Sequence, residues 1–106
     1  MSNSTKGRSE RIAIPLEVRW QDRTGTYSAH TGDLGVGGCF VESPAPVELN
    51  QRIVFELQLP TGRSLLLSGE VVHLDPPTGF GVRFHYVNEL ARNILAEVIR
   101  YARSIE

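Results

Sequence analysis

Cysteine occurs once in this chain of 106 residues, at Cys39. A single thiol excludes an internal disulfide framework, and a reducing cytoplasm is the expected compartment. Long apolar runs are missing. Nothing approaches the roughly 18 residues a membrane-spanning helix needs, so no membrane insertion is expected. The leading segment MSNSTKGRSER holds no apolar stretch of signal-peptide length. A basic surplus is missing too: 11 Lys and Arg stand against 12 Asp and Glu, for a formal net charge of −1. General DNA or RNA binders carry a strong positive excess, so nucleic acid is not an expected partner. Histidine appears only at His30, His73 and His85, with no metal-ligand spacing among them and no second cysteine near Cys39, so no metal or cofactor is expected. Gly35-Val36-Gly37 meets Phe40 where a dinucleotide fingerprint needs its third glycine, and no lysine followed by Ser or Thr closes a phosphate loop. No carboxylate pair stands in an acid/base arrangement. Together these absences exclude the common routes to catalysis and leave a binding module.

What is present is a strong strand pattern. Hydrophobic residues make up 41% of the chain, enough for the core of one small domain. Residues 1–10 are polar and read as a flexible arm. From Arg11 the apolar positions Ile12, Ile14, Leu16, Val18 and Trp20 alternate with polar ones, the period of a half-buried strand. Pro15 inside that run has no N–H to donate, which predicts an edge or a bulge there. Weaker alternation follows over 26–33. A glycine-rich turn comes next, TGDLGVGG, then Cys39-Phe40-Val41 in a strand over about 37–42. Cys39 reads as a small apolar core side chain beside them. Further strands are expected around 53–59, over 64–74 with a bulge at Gly69, and over 80–86. After Asn88, which can cap a helix, the spacing lengthens: Leu90, Ile94, Val98, Tyr101 or Ala102, and Ile105 recur every three to four residues. The expected fold is mainly β, a small six-stranded antiparallel barrel over about 11–86 with a C-terminal helix over about 88–104, forming one domain at 11–106.

Two features remain outside this pattern. Lys6-Gly7-Arg8-Ser9-Glu10-Arg11 leads into the first strand, and Asp33-Leu34-Gly35-Val36-Gly37-Gly38 follows some twenty residues later. In this order they resemble the PilZ family, which has an Arg-x-x-x-Arg arm before its first strand and an Asp/Asn-x-Ser-x-x-Gly turn after it. SGEVVHL followed by GFGVRFHYV is similar to the late strand pair of that family. The resemblance covers the chain from about residue 6. It implies a non-catalytic receptor for the bacterial second messenger cyclic di-GMP, with Arg8, Arg11, Asp33, Gly35 and Gly38 as ligand-binding residues and an unidentified protein partner downstream.

The chemistry suits such a ligand. Guanidinium groups pair bidentately with phosphate oxygens or with the O6/N7 edge of guanine. A carboxylate accepts from guanine N–H groups, and a bare glycine turn admits a flat base against the backbone. The chain departs from the family pattern at two places: counted from Arg11, the first arginine falls on Gly7, and the turn serine falls on Gly35. Arg8 lies one residue from the vacant place. A second reading therefore stands beside the first, a PilZ-like adaptor that has lost the nucleotide and acts by protein contact alone.

Overall fold

The computed structural model describes residues 10–85 and 87–105. Six antiparallel strands, β1 (Glu17–Asp22), β2 (Gly25–Leu34), β3 (Gly38–Glu42), β4 (Arg52–Gln58), β5 (Ser64–Asp75) and β6 (Gly79–His85), precede one helix, α1 (Glu89–Ser104). The strands close into a barrel in the order β1-β2-β3-β6-β5-β4. Hairpins join β1 to β2, β2 to β3, β4 to β5 and β5 to β6. The Pro-containing segment 43–51 carries the chain from β3 across to β4, so β6 takes the place beside β3. Closure comes from β1 against β4, with Val18 opposite Leu57 and Trp20 opposite Phe55. The inward residues of every strand fill the interior, among them Val18, Trp20, Leu34, Cys39, Val41, Leu57, Val71, Phe80 and Val82.

The first expected strand is shorter than its alternation suggests. Its ladder starts at Glu17, and Ile12 makes only an isolated bridge to Leu34. Pro15 explains the gap, since it cannot donate to a ladder. Thr31 of β2 bridges the interval with its side chain. Its hydroxyl donates to the Ile14 carbonyl at 2.5 Å and accepts from the Leu16 N–H at 2.9 Å. Residues 11–16 thus form a strap laid along β2 and pinned at both ends, with Ile12 and Leu34 exchanging backbone bonds at 3.0 and 2.9 Å.

Two bulges set the phase of the sheet. The register of β2 against β3 slips between Thr31 and Asp33, which leaves Gly32 as the extra residue. The register of β5 against β6 slips between Val71 and His73, which leaves Val72 extra. The bulge expected at Gly69 is therefore three residues early. Gly69 pairs in register with Ile53 and Phe84, and its missing side chain has a different cause: a Cβ there would stand 2.6 Å from the Arg83 carbonyl oxygen.

Asn88 caps α1 as expected, its Oδ1 accepting from the Ala91 N–H at 2.7 Å. The buried stripe keeps Val98 and Ala102 of the expected one and adds Ala91, Leu95 and Ile99, while Leu90, Tyr101 and Ile105 face outward. Apolar residues populate both stripes, so spacing alone does not choose between them. The stripe with alanine at each end lets the helix lie close to the barrel. The helix covers the end that carries the β2–β3 and β4–β5 turns, with Val36 near Ile99 and Pro60 near Val98 and Tyr101.

Candidate functional site

The strap, the glycine turn and the outer face of β3, β6 and β5 meet around an open depression of about 550 Å³. Strand register builds it row by row. Asp33, Phe40, Gly81 and His73 lie opposite one another across β2, β3, β6 and β5. The next row, Leu34, Cys39, Val82 and Val71, faces the core. The row beyond it returns outward as Gly38, Arg83 and Glu70. Each outward row holds a glycine, Gly81 inside the first and Gly38 at the β3 end of the second. Backbone lies bare there between side-chain walls, and the hollow results.

Asp33 owes its direction to the bulge. Strict alternation from Ala29 and Thr31, both buried, would send residue 33 inward. The extra residue at Gly32 shifts the phase, so Leu34 enters the core and Asp33 turns out to the rim. There its Oδ1 accepts from Arg11 Nη2 at 2.6 Å and from the Phe40 backbone N–H at 3.2 Å. Arg11 reaches it because the Ile12–Leu34 bridge brings the base of the arm alongside the end of β2.

Gly38 is required by packing as well as by access. A Cβ at this position would run into the Val82 carbonyl oxygen of the paired strand. Gly35 is buried and does not line the depression; its N–H donates to the Gly38 carbonyl at 2.8 Å and closes the turn, while the Gly37 carbonyl accepts from the Phe84 N–H at 2.9 Å. Arg8 lies outside the described residues. Of the expected site residues, then, Arg11, Asp33 and Gly38 converge, and Gly35 shapes the turn from behind. Sequence reasoning missed Gly81, His73 and Arg83, which complete the floor and the far wall. The alternation Gly79, Gly81, Arg83, His85 does mark one outward face of β6. Its pairing with β3 is the long-range fact that alternation does not supply.

Cys39 forms part of the depression's base but is fully buried, and burial pushes its thiol up to about 12. It stays protonated at neutral pH and behaves as a core side chain, not as a nucleophile. Among the described residues no group of three His, Cys, Asp or Glu side chains is placed to hold a metal ion. No helix among them is long and apolar enough to cross a membrane.

The fold and rim define a class: a closed six-stranded antiparallel barrel whose arm base and glycine turn flank an open hollow with charged groups at its rim. The chain belongs to the PilZ domain family, whose model matches residues 5–101. PilZ domains are in general receptor and adaptor domains without catalysis. Among solved structures the chain is similar to YcgR of Escherichia coli in complex with c-di-GMP, at 19% identity and a TM-score of 0.77, over 93% of this chain and 48% of that one. It thus spans about half the length of that protein. The isolated PilZ domain of YcgR with c-di-GMP is similar over 93% of this chain and 95% of its own, at 17% identity and a TM-score of 0.71. The PilZ domain of CeSA from a cellulose-synthesizing bacterium is similar over 92% and 98%, at 21% identity and a TM-score of 0.62. At these identities the likeness establishes the fold. No curated protein sequence matches the chain.

Proposed function

We propose that this chain is a non-catalytic receptor that takes cyclic di-GMP in the depression beside the glycine turn and passes the signal to a protein partner. The observation that carries the reading is the convergence of Arg11 and Asp33 on a glycine-floored hollow at the point where the arm enters the barrel. In this reading Arg11 binds phosphate or the guanine O6/N7 edge, Asp33 accepts from guanine N–H groups, and Gly38 admits the base against the backbone. Gly35 preserves the turn. The arm of residues 1–10, with Arg8, folds over the ligand onto the domain of residues 11–106, and ordering of that arm is the signal. Membership of a family in which YcgR has been solved with c-di-GMP supports the ligand class.

The two departures set the expected strength. Losing one charged hydrogen bond at Gly7 and one hydroxyl bond at Gly35 amounts to roughly 2–4.5 kcal/mol, or about 30- to 2,000-fold in affinity. Binding weaker than a complete motif would give is therefore expected. Titration calorimetry with cyclic di-GMP at near-millimolar ligand tests this: saturable heat and a raised melting temperature support the receptor. Absence of both removes it.

A second reading has its own observation. Arg11 and Asp33 already neutralise each other at 2.6 Å, as they would in a domain that had ceded the nucleotide and kept its partner surface. In that adaptor, Arg11→Ala and Asp33→Ala leave signalling intact in cells, whereas in the receptor both behave as nulls while folding normally.

A further inference from the structure

The hollow is short of positive charge for a ligand with two phosphates. Arg11 is held by Asp33 at 2.6 Å, and that pair contributes no net charge to the rim. The place of the arm's first arginine is Gly7. On the far wall stands Arg83, opposite Gly38 in the β3–β6 register and two residues along β6 from Gly81. Its side chain is 64% exposed. Its contact with Glu70 Oε1 is 3.4 Å long, well beyond the 2.7–2.9 Å of a strong charged pair. The same carboxylate oxygen lies 3.2 Å from His85 Nε2, so Glu70 is shared between two neighbouring nitrogens.

We propose that Arg83 is the second ligand-binding cation of this depression, standing in from the barrel wall for the arginine the arm lacks at Gly7, with Glu70 as its competitor. The inference rests on the receptor reading given above. Its physical basis is that a guanidinium on a strand, beside a glycine with no side chain to screen it, can swing over the floor without ordering the arm. It meets a phosphate, or the O6/N7 edge of a guanine stacked over Gly38 and Gly81, in the two-pronged geometry that lysine does not reproduce. The long Glu70 contact is readily surrendered to such an acceptor. Recognition would then be divided between Arg11 on the strap and Arg83 on β6, one on each side of the glycine floor.

The test is calorimetric titration of cyclic di-GMP into the full chain and into Arg83→Gln, Arg83→Lys and Glu70→Gln, with Arg92→Ala on the exposed face of the helix as control. The expected result is a loss of about ten- to a hundredfold in affinity for Arg83→Gln, the size of one charged hydrogen bond. Arg83→Lys should recover only part of it. Glu70→Gln should bind several-fold more tightly, because the competitor is gone. Arg92→Ala should match the unaltered chain. Circular dichroism and the melting temperature establish that each variant is folded. If Arg83→Gln does not fold, Glu70→Gln decides alone, and unchanged or weaker binding there overturns the proposal. If the unaltered chain binds and Arg83→Gln binds equally well, Arg83 has no such role and the receptor reading survives. If the unaltered chain gives no heat at all, the receptor reading itself has failed and this inference goes with it.

Discussion

Asp33 does two things through one oxygen: it fixes Arg11 and it accepts from the Phe40 backbone in the middle of β3. Both partners sit near solvent, with the two charged side chains about two-fifths exposed. An ion pair in that setting contributes at most about 1 kcal/mol. Counting the Phe40 bond as well, Asp33→Ala is therefore expected to lower the unfolding free energy measured in urea by no more than about 2 kcal/mol, while abolishing calorimetric binding of cyclic di-GMP. A drop of several kcal/mol would instead make Asp33 a structural residue. Asp33→Asn, which keeps an acceptor oxygen for Phe40 and for a guanine N–H, should be the more stable of the two and should retain part of the binding that Asp33→Ala loses. Arg11 and Asp33 were legible in the sequence because their motif is local: an arginine ahead of one strand and an acid at the end of the next. Gly81, His73 and Arg83 were not, because only β3–β6 and β5–β6 pairing brings them to the same hollow. Gly35 was legible as a turn residue, and the structure gives it a backbone role through its bond to the Gly38 carbonyl.

At the scale of elements, the site depends on a strap that is not a strand. Residues 11–16 are held by the Ile12–Leu34 bridge and by the buried hydroxyl of Thr31, which serves Ile14 and Leu16 together. Thr31→Val keeps the volume and removes both bonds, leaving the Leu16 N–H without its acceptor. The expected cost is about 1–3 kcal/mol in unfolding free energy. Amide exchange at Leu16 should quicken, and the affinity for ligand should fall because Arg11 rides on the strap. Unchanged exchange at Leu16 would show that backbone pairing alone holds the segment. The period-two signal revealed six strands and their approximate bounds. It did not reveal the slips at Gly32 and Val72, since one inserted residue leaves the count of apolar positions nearly unchanged while reversing the face of everything beyond it. The helix stripe is legible only in part for a related reason: Val98 and Ala102 are buried as their spacing predicts, but Leu90, Tyr101 and Ile105 match the spacing equally well and face outward, and tertiary contact decides between them.

At the scale of the molecule, barrel closure was legible from strand number and length, whereas strand order was not. Turns predict which neighbours in sequence pair. They leave open that β3 meets β6 and that β1 meets β4 across the seam. Closure has a consequence for the lone thiol. Cys39 lies on β3 directly between Leu34 and Val82, sealed beneath the depression floor, and burial holds its folded-state value near 12 against an ordinary 9.0. Above about pH 9 the unfolded chain releases this proton and the folded barrel keeps it, so the unfolded state gains. The thiol's contribution to stability is complete below pH 9 and disappears as pH rises toward 12, at about 1 kcal/mol for each pH unit. Tyrosine, lysine and arginine also titrate in the alkaline range, so the measurement is a difference. Urea unfolding of the unaltered chain and of Cys39→Ala, run in parallel from neutral pH to about pH 11, should show the unaltered chain more stable at neutral pH by a cavity term. That margin should shrink steadily once pH passes 9. A margin that stays constant with pH would mean the thiol ionises as easily in the barrel as in the open chain. The floor between Gly38 and Gly81 would then be permeable to solvent, and a ligand there would face water on both sides.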